Sequence, residues 1–203
     1  TLTDTRVAGL CPGTYVLTRT WTATDGCGNS TSASQDVSVM DTIAPILVGV
    51  PTDVSAECDA VPLPATVTAS DTCAVTVPVT FVETQTNGTC PDEYTLTRSW
   101  TAVDNCSNNV TARQFVSVDD TTRPMVTCPA HATLECPANI SVLANGTASA
   151  TDNCSTPTVG SSDAVVAGCG TTQTITRTWT ATDECANSKS CGQLIAVVDT
   201  AAP

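Results

Sequence analysis

Polar and apolar residues alternate with a period of two along much of the chain. Across Tyr94–Val103, Leu96, Arg98, Trp100 and Ala102 share one face, and Thr95, Thr97, Ser99 and Thr101 share the other. Such alternation marks a half-buried strand, and the abundance of Thr, Val and Ile fits it. A second strand is predicted at Phe115–Asp119. It joins the first through Asn105-Cys106-Ser107-Asn108-Asn109, which makes a hairpin. Upstream, strands are predicted at Val54–Glu57, Ala65–Ser70 and Ala74–Glu83. No segment shows a helical period.

The pattern recurs. CPGTYVLTRTWTATDGCGNS from Cys11, CPDEYTLTRSWTAVDNCSNN from Cys90 and CGTTQTITRTWTATDECANS from Cys169 align without a gap. Each leads to a matching exit, QDVSVMDTIAP, QFVSVDDTTRP or QLIAVVDTAAP, ending at Pro45, Pro124 and Pro203. The chain therefore divides into 1–45, 46–124 and 125–203. The last two are complete repeats of about seven predicted strands, which fits a small β-sandwich. The first matches only the C-terminal part of a repeat. Two explanations stand: the chain is a piece of a longer tandem array, or another subunit supplies the missing strands.

The motifs W-T-A-T-D-x-C-x-N and V-x-V-x-D-T-x-x-P, with a repeated Glu-Cys lead-in, resemble those of HYR-like, immunoglobulin-like tandem repeats. The resemblance implies an all-β fold of disulfide-stabilised sandwich repeats. It also implies an extracellular or cell-surface location, as in adhesins and filamentous appendages. It leaves the biological partner open.

Composition narrows the function. With 20 acidic residues against 7 basic ones, the net charge is −13, which excludes the basic stripe that nucleic acid requires. No apolar run approaches the roughly 20 residues of a membrane span. The 12 cysteines lack the close C-x(2–4)-C pairs of zinc sites and accompany a single histidine, so disulfides in an oxidising compartment are expected. Catalysis is not expected. His131 has no repeat equivalent and reads as an exposed strand residue, and no nucleophile–base arrangement or phosphate loop is visible.

A strand of about ten residues separates Cys90 from Cys106 by roughly 33 Å, so those two cannot bond. In an immunoglobulin-like sandwich the second and penultimate strands run the same way in opposite sheets. That topology implies Cys58–Cys90 at one end of the second repeat and Cys73–Cys106 at the other. It implies Cys136–Cys169 and Cys154–Cys185 in the third. Cys128–Cys191 would join the first and last strands there. Cys11 and Cys27 would pair outside the segment.

Trp21, Trp100 and Trp179 are expected in the cores, with Arg19, Arg98 and Arg177 beside them pairing with carboxylates or stacking on the rings. Asp25, Asp104 and Asp183 end the Trp strands, while Asp71 and Asp152 end the second strands. Asp41, Asp119, Asp120 and Asp199 stand at the exits. Turn formation explains acidic residues at such places. Structural Ca²⁺ at the joints, held by Asp41, Asp119 and Asp120, is the sharper reading. Glycosylation sequons occur at Asn29, Asn87, Asn109, Asn139 and Asn145, with weaker ones at Asn105 and Asn153, where Cys is the middle residue. No other cofactor is expected.

The expected function is a structural segment of an extracellular filament, appendage or stalk, glycosylated and self-assembling end to end. Its partners would be other copies of itself or further repeats of the same chain. The competing expectation is an adhesion module that recognises glycan or protein through sandwich-end loops.

Overall fold

The computed structural model describes residues 1–74 and 76–202. Val75, inside the predicted strand Ala74–Glu83, and Pro203, where the third repeat ends, lie outside the described residues. The chain is an all-β, disulfide-bonded series of immunoglobulin-like β-sandwich repeats. The first repeat contributes β1 (Leu2–Ala8), β2 (Tyr15–Thr24) and β3 (Ser30–Val39), one antiparallel sheet with β2 central.

The second repeat contributes β4 (Ile46–Val48), β5 (Val54–Glu57), β6 (Thr68–Ser70), β7 (Val79–Asn87), β8 (Tyr94–Val103) and β9 (Asn109–Asp119). The third contributes β10 (Met125–Thr127), β11 (Ala132–Glu135), a one-turn helix α1 (Val142–Asn145), β12 (Ser149–Thr151), β13 (Thr158–Ala167), β14 (Gln173–Thr182) and β15 (Ser188–Val198). Each complete repeat divides into a two-stranded sheet, β4–β6 or β10–β12, and a four-stranded one, β5–β9–β8–β7 or β11–β15–β14–β13. In the third repeat β11 runs parallel to β15, whereas the other pairings there are antiparallel.

The predicted strands at Val54–Glu57 and Tyr94–Val103 are β5 and β8. Three others shift. The strand predicted at Phe115–Asp119 starts at Asn109, because the hairpin pairs directly from its turn. The one predicted at Ala65–Ser70 shortens to Thr68–Ser70, the three residues that pair with β4. The one predicted at Ala74–Glu83 becomes Val79–Asn87, beginning after Pro78, which has no N–H for a ladder. Each complete repeat holds six strands among the described residues.

Two compact units emerge from the packing. One comprises Thr1–Val54, Leu63–Thr84 and Thr97–Phe115; the other comprises Ser55–Pro62, Gln85–Leu96 and Val116–Pro203. Their borders run across strands of the 46–124 repeat rather than along the repeat ends.

In the first unit Trp100 is 2 % exposed, and Ala102 and Val67 are buried as well. Its ring lies 5.3 Å from that of Phe81. Trp21 is 44 % exposed, which corrects its expected place in a core. The cause is local: β1, β2 and β3 form a single sheet, and among the described residues no second sheet packs on the face carrying Trp21 and Arg19. In the second unit, Leu96, Val116 and Val118 form a cluster against Cys58, Val61 and Tyr94. Ile175, Trp179, Ala181, Ile195 and Val197 are buried on β14 and β15 of the same unit. On the opposite face of these hairpins, hydroxyls bond across the strands. Examples are Thr20–Ser34 at 3.1 Å, Thr101–Thr111 at 2.8 Å and Thr180–Ser190 at 2.8 Å.

Buried arginines satisfy their charge on neighbouring strands. Arg98 Nε donates to Glu83 at 2.7 Å, and Arg177 Nε donates to Asp163 at 2.7 Å. Arg177 also donates to the Ile140 carbonyl at 2.9 Å. The carboxylate alternative of the sequence reading thus holds for both. Arg19, on the open face, stands 3.8 Å from Asp4 with both side chains exposed.

Candidate functional site

The chemistry-bearing residues gather where one repeat meets the next. Among the described residues four disulfides are present: Cys11–Cys106, Cys58–Cys154, Cys90–Cys185 and Cys128–Cys191. The last is the pair expected from the first and last strands. The other four expected pairs, Cys58–Cys90, Cys73–Cys106, Cys136–Cys169 and Cys154–Cys185, are not formed. Cys11 bonds within the chain rather than outside it. Cys27, Cys73, Cys136 and Cys169 are free thiols. The expectation confined each bridge to one repeat. The short D-T-x-x-P linkers instead bring the loop before one repeat's Trp strand against the turn after the next repeat's Trp strand. Cys11–Cys106 and Cys90–Cys185 both span 95 residues with Cα atoms 5.2 Å apart. Cys58–Cys154 spans 96 with Cα atoms 5.8 Å apart.

The D-x-C-x-N turn is built to present its cysteine. Asp104 Oδ1 accepts the N–H groups of Cys106 and Asn108 at 2.8 and 2.9 Å, and Asp183 Oδ1 does the same for Cys185 and Asn187 at 2.9 and 2.8 Å. Side-chain acceptance of this kind fixes a tight turn. The residue after the cysteine adopts a left-handed conformation, with φ of 89° at Gly28, 70° at Ser107 and 67° at Ala186. Only the glycine adopts it without strain. The final asparagine reaches back across the joint: Asn108 Nδ2 donates to the Asp41 carbonyl at 3.2 Å and Asn187 Nδ2 to the Asp120 carbonyl at 2.9 Å.

The Glu-Cys lead-in serves the exit. Glu57 accepts the Thr121 N–H at 3.1 Å and the Thr121 hydroxyl. Glu135 accepts the Thr200 N–H at 2.6 Å and its hydroxyl at 3.1 Å. Thr121 holds the Glu57 carboxyl below the ordinary glutamate range. These asparagine and glutamate roles were missed in the sequence. Their signal was the fixed recurrence of Asn, Glu-Cys and Asp-Thr at one repeat's spacing.

Carboxylates crowd at the same joints. In the second unit one oxygen each from Asp120, Asp152 and Asp183 lies within 4.8 Å of the other two. Asp120 and Asp183 are each 7 % exposed. Burial, then the negative charges of Asp152 and Asp183, push the Asp120 carboxyl above its usual range. In the first unit Asp41 lies within the same distance of Asp71 and of Asp104, in two separate groups. There, burial pushes the Asp104 carboxyl up, but hydrogen bonds led by Asn108 outweigh it and hold it below its usual range. Of the residues expected to hold calcium, Asp41 and Asp120 sit in such groups and Asp119 does not. Adjacent strand residues face opposite ways, and Asp119 instead accepts the Ser117 hydroxyl at 3.3 Å. Asp71 and Asp152 were read from sequence as turn formers, and their Oδ1 atoms do accept the N–H groups of Cys73 and Cys154 at 2.7 and 3.0 Å.

His131 is exposed, and its Nδ1 accepts the Leu194 N–H at 2.8 Å, a strand-edge role. Six sequon asparagines are exposed: Asn29, Asn87, Asn105, Asn109, Asn139 and Asn153. Asn145 is half-buried, with Nδ2 donating to the carbonyls of Asn139 and Ser141 at 2.9 and 3.0 Å. Among the described residues no helix is long and apolar enough to cross a membrane.

No protein-family profile and no curated protein matches this sequence. Solved structures that resemble it include Drosophila N-cadherin EC1-4, at 13 % identity over 95 % of this chain and 59 % of that one, with a TM-score of 0.36. Protocadherin gammaB7 EC3-6 matches at 13 % identity over 98 % and 66 %, with a TM-score of 0.35. Mouse cadherin-23 EC22-24 matches at 14 % over 92 % and 75 %, with a TM-score of 0.32. The chain thus spans less than two thirds of the first two. Likeness at this level identifies neither a ligand nor a partner.

Proposed function

We propose that this chain is a structural segment of an extracellular filament, appendage or stalk, built from HYR-like repeats at 1–45, 46–124 and 125–203 and joined end to end to further copies or repeats. Its role is mechanical and not catalytic. The observation that carries this reading is the set of bridges linking successive repeats, Cys11–Cys106, Cys58–Cys154 and Cys90–Cys185. A pull along the chain passes from repeat to repeat through sulfur as well as through the D-T-x-x-P linkers. An independent recognition module has no need of covalent ties across every joint. The exposed sequons fit a glycan coat, and the carboxylates at the joints fit stiffening by a structural cation.

Negative-stain electron microscopy of the native material tests the reading. Continuous fibres with an axial repeat that collapses on thiol reduction are expected. Monodisperse particles that bind a glycan or protein with unchanged affinity after reduction would replace it with the adhesion-module reading.

A further inference from the structure

We propose that Asp120, Asp152 and Asp183 bind a hard divalent cation of calcium's size. Each carboxylate has already committed one oxygen to its own turn. Asp120 Oδ1 accepts the Thr122 N–H at 3.3 Å, Asp152 Oδ1 that of Cys154 at 3.0 Å, and Asp183 Oδ1 that of Cys185 at 2.9 Å. The second oxygen of all three is buried and accepts no hydrogen bond. Three anionic groups with their remaining acceptors orphaned, two of them on residues 7 % exposed, form an arrangement that folding disfavours unless a positive charge is present. The donor set is all carboxylate oxygen, the choice of calcium and magnesium rather than of zinc or copper. Oxygens within 4.8 Å of one another can be bridged by calcium, whose flexible coordination takes oxygen ligands at roughly 2.3–2.6 Å. In the first unit Asp104 Oδ2 accepts Asn108 Nδ2 at 2.8 Å, so the corresponding position there is already satisfied.

The inference rests on the proposed stiffening of the joints and is independent of whether the chain forms fibres. The test uses the whole chain stripped with EGTA and titrated with CaCl₂ by calorimetry, alongside thermal melts. Calcium is expected to bind and to raise the midpoint. Asp152→Asn keeps Oδ1 for its turn and should weaken calcium binding at least tenfold. In EGTA it should melt at or above the wild-type midpoint, because one of three repelling charges is gone. Asp199→Asn, an exposed exit residue, should leave both readings unchanged. Equal wild-type midpoints in calcium and EGTA with no binding heat would overturn the proposal. So would an Asp152→Asn loss of stability that is the same in both. Fibres seen in EGTA alongside absent binding would remove the cation and leave the filament reading intact.

Discussion

Replacing Cys90 and Cys185 with Ser removes one bridge across the second joint. A cross-link stabilises chiefly by restricting the unfolded chain, and a free loop of 95 residues corresponds to about 4.7 kcal/mol. The bridge is not alone, however. With Cys128–Cys191 intact, a shorter path already connects the two positions. It runs about 38 residues from Cys90 to Cys128, across that bond, and about six back to Cys185. A loop of about 44 residues gives about 4 kcal/mol by the same relation. In a chain of this length that lowers the melting midpoint by roughly 8–16 °C. Circular dichroism melts of the double variant under non-reducing conditions measure it. The single variant Cys185→Ser tests the connectivity itself. If bridges cross the joint, it exposes the Cys90 thiol to alkylation; if they stay within a repeat, it exposes Cys154. Labelling of Cys154 instead of Cys90, or a midpoint change under about 2 °C in the double variant, would refute the reasoning.

Further consequences are open to measurement. Acrylamide should quench Trp21 strongly and leave Trp100 and Trp179 nearly untouched, readable from Trp→Phe variants that keep one indole each. Asp163→Ala leaves the buried Arg177 guanidinium without its carboxylate and should cost about 2–3 kcal/mol in urea unfolding, given that Asp163 is one-third exposed. Asp4→Ala, beside exposed Arg19, should change stability by less than about 0.5 kcal/mol. Arg177 holds the Asp163 carboxyl below its usual 3.8. Its contribution is therefore fully present above pH 3.8 and lost as pH falls through the lower folded-state value. A urea titration from pH 6 to pH 2 should show this loss in the wild type and not in Asp163→Asn. Ala186→Gly should stabilise by up to about 1 kcal/mol, because the position is left-handed.

Tyr94–Val103 was legible to the residue because its alternation is unbroken and its apolar face is buried. Ala65–Ser70 and Ala74–Glu83 were placed less well: Thr and Val are so common in this chain that composition does not mark a strand's ends, whereas the prolines do. Trp21 was assigned to a core by its equivalence with Trp100 and Trp179. Burial depends on the opposing sheet, which identical strand sequences do not encode. Cys128–Cys191 was read correctly, but the partners of Cys11, Cys58, Cys90, Cys106, Cys154 and Cys185 were not, because these bridges join successive repeats instead of closing one repeat on itself. The carboxylate site shows the same limit. Asp120 was visible as an exit residue, but its companions Asp152 and Asp183 come from the turns of the following repeat. Only the meeting of two repeats brings them within 4.8 Å.

The interlaced bridges also set a timetable for biosynthesis. Cys58 and Cys90 cannot reach their native partners until Cys154 and Cys185 have been made, about 95 residues later. At roughly 5–20 residues per second, each emerging repeat waits about 5–19 s with two thiols exposed. Cys73 and Cys106 lie nearer in sequence throughout that interval. A cell producing this chain must therefore shield or reshuffle nascent thiols, and its yield should depend on disulfide isomerase more steeply than that of a protein whose bridges close inside each domain.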